Sequence, residues 1–274
     1  MERRKKMTVF RQYHDGEEAA LKFHSESQIY FCQCDAQHNL SFFELLRILS
    51  DAAVEDYNQR GMSWQMLRDN GYAILVSRQS FRFHKIPQAN QKITIHTWEE
   101  KSQPLQFVRA YEIADSQTGE KLVSGLSNWL LADVNTHRIL RLKEFTLRPE
   151  PQLQEEHDCI EPGKIVIPEN PALLTERPVW YSDIDGNGHV NNARYGAYVA
   201  DCLPPEYQQK TYRDFRINYS KEAVAGQLIQ LYENFKEKNK KIIIEGKQKE
   251  NTCFEAELYG KKKKSTVLQK MRRR

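Results

Sequence analysis

The chain has 274 residues, 39% of them hydrophobic and 28% charged, a balance that fits a globular protein with a well-filled core and room for two domains. No apolar run approaches the roughly 20 residues that a membrane-spanning helix needs, so no membrane span is expected. The formal net charge of +4 hides an asymmetry: positions 1–6 and 261–274 hold 12 basic residues and one acid, leaving 29 basic against 36 acidic residues between them.

Taken in chain order, the basic start Met1-Glu-Arg-Arg-Lys-Lys-Met7 has no apolar stretch behind it and does not read as a secretory signal. Cys32-Gln-Cys34 lies in a strand-like run without a matching second pair, so no zinc site is expected. The five cysteines (Cys32, Cys34, Cys159, Cys202, Cys253) are odd in number and fit a reducing cytoplasm. Ser41-Phe-Phe-Glu44 has capping-box spacing. Behind it Phe42, Leu45, Leu46, Leu49, Ala52 and Ala53 recur at helical intervals and mark one buried face. Trp64 to Leu67 continues the helical character. Residues 71–83, 92–99, 105–114 and 122–131 are rich in β-branched and aromatic residues and read as strands, with Asp115-Ser-Gln-Thr-Gly119 as a turn. A proline-rich, charged stretch follows. It divides the chain into an N-terminal unit (1–150), a linker (151–176) and a C-terminal unit (177–274).

In the C-terminal unit Tyr195, Tyr198, Val199 and Cys202 keep helical spacing until Pro204-Pro205 stops them, and Cys202 reads as core. Residues 212–219, 228–235, 242–245 and 253–259 read as strands, with a turn at Lys238-Asn-Lys240. Each set of strands thus follows one long helix, the mark of a duplicated unit. Asp35-x-x-x-Asn39 aligns with Asp183-x-x-x-Asn187 at an offset of 148, and Phe83 to Ile93 aligns with Tyr219 to Ile229 at an offset of 136. The difference of 12 fits the longer helical stretch of the first half. The fold class that follows is α+β, a tandem hotdog in which each half wraps an antiparallel sheet around a long central helix. Where the first half has Ile86 the second has Glu222, and only the second carries His189. Chemistry is therefore expected in the C-terminal unit, with structure and an apolar pocket supplied by the N-terminal one. The basic tail beyond residue 260 reads either as a solvated end or as charge suited to an acidic partner, and it has no aromatics among its charges, so no nucleic acid is expected.

The segment Tyr181-Ser-Asp-Ile-Asp-Gly-Asn-Gly-His-Val-Asn-Asn-Ala-Arg-Tyr195 places two carboxylates, three carboxamides and an imidazole where an extended stretch meets a helix. Its glycines permit tight turns. A helix N-terminus adds N–H donors and a positive dipole end that can hold an oxyanion. Asp183 is expected to cap the helix or brace the loop, and Asn191 and Asn192 to satisfy helix-start backbone groups.

Asp185-x-Asn187-x-His189-Val-Asn-Asn with Glu222 downstream, inside a duplicated hotdog, resembles the acyl-acyl-carrier-protein thioesterases of plant plastids and their bacterial relatives. The resemblance implies that Asp185, Asn187, His189 and Glu222 form the catalytic group. It also implies hydrolysis of the acyl thioester of acyl carrier protein to free fatty acid and holo carrier in fatty acid biosynthesis. No metal or cofactor is implied, since a thiolate leaves readily. The plant enzymes carry a cysteine directly after that glutamate; here the position is Ala223. In the expected mechanism Asn187 and backbone N–H groups hold the oxyanion. Glu222, its pKa raised by partial burial, takes the proton of the attacking water. His189 orients the water or replaces Glu222 as base, and Asp185 holds Asn187 or His189. The partner is acyl carrier protein, and the protein a monomer or homodimer. The alternatives are hydrolysis of acyl-CoA and a non-catalytic acyl-binding hotdog.

Overall fold

Ser41 starts the first long helix as its spacing predicts: its Oγ accepts the Glu44 N–H at 3.3 Å, and α1 runs Phe42–Gln59. Only half of the capping box forms, because the Glu44 carboxylate takes Gln33 Nε2 at 3.0 Å and Arg47 Nη2 at 2.7 Å. The buried face is Leu45, Leu46, Leu49, Ala52 and Ala53, continued by Asp56 and Tyr57. A short α2 (Trp64–Asp69) follows. The computed structural model describes residues 9–236 and 241–260; the turn read at Lys238–Lys240 and the basic runs at both ends lie outside the described residues. Among these residues no helix is long and apolar enough to cross a membrane.

Every strand read from the sequence is present, β8 (Tyr212–Tyr219) with the ends expected and the others with at least one end shifted: β3 (Tyr72–Phe83), β4 (Lys92–Gln103), β5 (Gln106–Asp115), β6 (Lys121–Asp133), β9 (Leu228–Lys236), β10 (Lys241–Gln248) and β11 (Asn251–Gly260). Three strands escape the sequence pattern: β1 (Gln12–Asp15), β2 (Lys22–Gln28) and β7 (Ala172–Pro178). β2 holds one apolar residue, Phe23, among polar ones. β7 is an exposed edge strand with no alternation to detect. It starts inside the stretch taken as linker and pairs with β9, so the sheet of the second unit begins before residue 177. Cys32-Gln-Cys34 is not in a strand; it sits at a 3-10 turn, Phe31–Gln33, closed by the Tyr30 N–H donating to Gln33 Oε1 at 2.8 Å.

All strands form one antiparallel sheet in the order β1-β2-β4-β5-β6-β3-β8-β11-β10-β9-β7. The halves mirror each other: β2-β4-β5-β6-β3 matches β7-β9-β10-β11-β8, and β3 pairs with β8 at the centre from Arg78↔Asn218 to Arg82↔Asp214. This is a double hotdog. The second helix, α3 (Arg194–Asp201), packs on α1 at Gly196, where an added Cβ would lie 2.9 Å from the Phe42 backbone. Leu46, Leu49, Tyr198, Val199, Phe215 and Phe254 share one core.

Hydrogen bonds correct the first repeat offset. Asp35 N–H donates to the Asn39 carbonyl as Asp185 N–H donates to that of His189, and Ser41 N–H to Gln33 as Asn191 N–H to Asp183. The register is therefore 150, not 148, because Asp/Asn spacing alone matched the wrong pair of carboxylates. The later offset of 136 holds: Leu40 N–H donates to the Pro87 carbonyl as Val190 N–H does to that of Ala223. Asp35, Gln37, Asn39 and Ile86 thus stand where the second half has Asp185, Asn187, His189 and Glu222.

The proline-rich stretch is a strap rather than a free tether. Leu153 accepts the Lys101 N–H at 2.8 Å, and the Gly163 carbonyl accepts Arg216 Nη2 at 2.7 Å and Asn218 Nδ2 at 3.1 Å, so the strap is fastened to both halves. Cys159 on it is buried with Trp98, Ala110 and Leu126.

The first half also buries charge. Glu99 and Arg109 are cross-strand partners on β4 and β5, and both are about as buried as the apolar core. Burial opposes ionisation of Asp56 and Glu99, yet Arg109 and Arg60 hold the Asp56 carboxyl below its ordinary value, and Arg148 and Arg109 do the same for Glu99. A depressed folded-state pKa gives stability that is complete above the unfolded value, near 4 for a carboxylate, and is lost as pH falls through the folded value. The urea midpoint should therefore hold steady from neutrality to about pH 5 and fall below about pH 4. Asp56→Asn should flatten that fall; an unchanged acid limb in this variant would refute the assignment.

Candidate active site

The chain leaves β7 at Pro178 and hooks onto the loop that follows β8: Val179 N–H donates to the Gln227 carbonyl at 3.0 Å and Gly226 N–H to that of Val179 at 3.1 Å. A 3-10 turn at Tyr181–Asp183 comes next. Asp183 braces this turn, as one of its two expected roles. It is 3% exposed, accepts the Trp180 N–H at 3.0 Å, and lies 3.3 Å from both Arg177 Nη2 and Arg194 Nε. The Arg177 guanidinium stacks over Tyr198 at 3.9 Å, tying the turn to α3. Asn191 meets its expected role, its Oδ1 accepting the Ala193 N–H at 2.9 Å just ahead of α3.

Between these anchors the loop closes on itself. Gly188 takes φ +85°, a left-handed conformation suited to glycine, and its N–H donates to the Asp185 carbonyl at 3.0 Å. Asp185 Oδ1 accepts the Asn187 N–H at 2.8 Å. Asp185 therefore fixes Asn187 through the backbone; it holds neither the Asn187 carboxamide nor the His189 ring.

Val190 N–H donates to the Ala223 carbonyl at 2.9 Å, which sets the neighbouring residues side by side. His189 Nε2 and Glu222 Oε2 stand 3.1 Å apart. Two residues 33 apart in the chain thus come within ion-pairing distance of each other. The burial expected of Glu222 is absent: its side chain is 57% exposed, because it projects from an open loop rather than from the strand. Ala223 behind it is fully buried and offers no nucleophile. The buried thiols of Cys159 and Cys202 are pushed up to about 12 by desolvation, and that of Cys253 upward for the same reason, so they are poor thiolates.

Asn187 is exposed and borders a cavity of about 180 Å³ that is otherwise lined from the first half, including Val54, Met62, Leu67, Ile74 and Phe107. The lining is mostly apolar. It also includes the buried Glu99 and Arg109, which sequence reasoning passed over. A signal was there: Glu99 shares the inward face of β4 with Ile93, Ile95 and Thr97, and Arg109 that of β5 with Phe107, Tyr111 and Ile113, so period-two alternation turns both charges into the core.

The chain matches the family descriptions "Acyl-ACP thioesterase N-terminal domain" over residues 20–148 and "Acyl-ACP thioesterase C-terminal domain" over residues 169–266. It is 26% identical over 139 residues to a chloroplastic acyl-[acyl-carrier-protein] hydrolase of Cuphea viscosissima, and 27% identical over 145 residues to an Arabidopsis thaliana chloroplastic oleoyl-acyl carrier protein thioesterase. Each match takes in 48% of this chain but only 34% and 39% of those proteins. Among solved structures, an acyl-ACP thioesterase from Bacteroides thetaiotaomicron superposes with a TM-score of 0.75 at 23% identity, covering 88% of this chain and 98% of that one. A 12:0-ACP thioesterase from Umbellularia californica gives 0.75 at 14% identity, covering 88% and 97%. These two establish the fold.

Proposed function

From a chain that belongs to the acyl-ACP thioesterase family, we propose a hydrolase that cleaves the acyl thioester of acyl carrier protein to free fatty acid and holo carrier within fatty acid biosynthesis, with Asp185, Asn187, His189 and Glu222 as its working group. The observation that carries the reading is the His189–Glu222 pair at 3.1 Å, on a loop whose Asn187 borders an apolar cavity. The acyl chain lies in that cavity of the first half. The thioester carbonyl sits near the Asn187 carboxamide, which steadies the oxyanion. Water attacks the carbonyl carbon while the His189–Glu222 unit takes its proton. The carbon–sulfur bond then breaks and the proton passes to the departing sulfur. A positioned pair suits this task without deep burial, since each group holds the other in place. Asp185 acts one step back, fixing the turn that presents Asn187.

The acidic carrier is the partner, and the cytoplasm, where five unpaired thiols persist, is the compartment. One chain already carries both halves, so a monomer suffices and a homodimer adds no half that is missing.

The test is release of free thiol from acyl-carrier protein, measured against matched acyl-CoA. Turnover of the carrier-bound substrate supports the reading; tight acyl binding with no turnover of either would make the chain a lipid-binding module. Because no cysteine stands at the site, alkylation of the exposed Cys32 with iodoacetamide should leave the rate unchanged, whereas inhibition at full alkylation would reopen a thiol mechanism.

A further inference from the structure

The cavity beside Asn187 has a mouth and a floor, and burial separates them. Val54, Trp64 and Leu75 on its lining are 52%, 54% and 41% exposed, whereas Met62, Glu99, Phe107 and Arg109 are at most 5% exposed. Exposed Asn187 belongs to the mouth, so a chain whose thioester sits there points its far end at the charged floor.

Beside the apolar Met62 and Phe107, that floor has a built polar part. Tyr57 donates its hydroxyl to Glu99 at 2.6 Å. Arg148 Nη2 donates to Glu99 at 2.7 Å and Arg60 Nη1 at 3.2 Å, while Arg109 Nη2 donates to Asp56 at 2.8 Å. Three guanidiniums share two carboxylates, which leaves one positive charge uncompensated. His14, 2.8 Å from Asp56, adds charge of the same sign when protonated. Arg109 also donates Nη1 to Thr97 Oγ1 at 3.2 Å, yet a guanidinium carries five donors and this one still borders the cavity. A methyl-ended chain that reached this floor would displace water from the cation and return nothing. An oxygen there returns a hydrogen bond.

We propose that the cavity selects acyl chains that carry an oxygen at the distal end, a hydroxyl or a carboxylate, received by Arg109 at the floor. The inference rests on the thioesterase reading above and concerns which acyl group that site takes.

The experiment uses the full chain and length-matched series of acyl-carrier proteins ending in methyl, hydroxyl or carboxylate. At the best length, an oxygen-ended chain should show kcat/KM about tenfold or more above its methyl-ended counterpart, less than sites built wholly for one hydroxyl achieve, because the floor groups already bond one another. A lead for carboxylate credits the excess positive charge, and a lead for hydroxyl credits the donors; both support the proposal. Equal or faster turnover of methyl-ended chains at every length overturns it and leaves the thioesterase reading standing. Should no series turn over, that reading falls, and the shift in melting temperature caused by free ω-hydroxy acid against the parent fatty acid decides the floor separately: a larger shift by the parent acid overturns the proposal. Since Arg109→Gln alone strips Asp56 of its closest cation, the variant is Arg109→Gln with Asp56→Asn, in which the ratio between oxygen-ended and methyl-ended substrates should fall to about one.

Discussion

Glu222→Gln should lower kcat/KM on acyl-carrier protein by about 10²–10⁴-fold, the range lost when a positioned general base is removed. The substitution keeps the shape of the side chain and removes its charge and its capacity to take a proton. The melting temperature should not move, because the side chain is 57% exposed and its one ion pair, with His189, is near the surface. That contrast separates a chemical role from a structural one. His189→Gln should cost a comparable factor. The double variant should be little worse than either single one, since groups that act as a unit give strongly non-additive losses. Asn187→Ala should cost about 10²–10³-fold if its carboxamide holds the oxyanion. A Glu222→Gln enzyme within about twofold of the wild type would sink the proposed mechanism.

The largest expected effect on stability lies at the other end of the cavity. Asp56→Ala should destabilise the protein by about 3–5 kcal/mol, the cost of leaving buried cations without their counter-charge. Arg109 is 4% exposed, and its next carboxylate, Glu99, stands farther off at 4.0 Å than Asp56 at 2.8 Å. Chemical denaturation at neutral pH measures the loss. Asp56→Asn, which keeps a hydrogen-bond acceptor for Arg109, should recover part of it. If Asp56→Ala unfolds at the wild-type midpoint, the buried ionic floor is not held as described. The two predictions bear on separate parts of the molecule, one on an open loop and one beneath the cavity, and their effects should add.

How much of this could be read in advance varies with the range of the interaction. The helix over Phe42–Gln59 was legible because Ser41 capping and the 3.6-residue period involve neighbours within one or two turns. β7 was not, because an edge strand exposed on both faces carries no alternation. Asn187, His189 and Glu222 stood out by residue type and by the contrast between the halves at Ile86 and Glu222. Asp185 stood out by residue type as part of the loop, but its grip on the Asn187 backbone depends on a turn that composition does not specify.

By itself the sequence determined the two helices, eight of the strands, the duplication and the half that bears the polar loop, since each is written in local propensity, periodicity or a one-half-only residue. Tertiary structure alone decided the register of 150, the meeting of His189 with Glu222, and the joining of Asn187 from one half to a cavity of the other with Glu99 and Arg109 beneath it. The physical reason is that those contacts depend on which backbone groups pair across the sheet and between loops. A shift of one or two residues in that pairing would leave every local pattern intact while moving each of these side chains to a different neighbour.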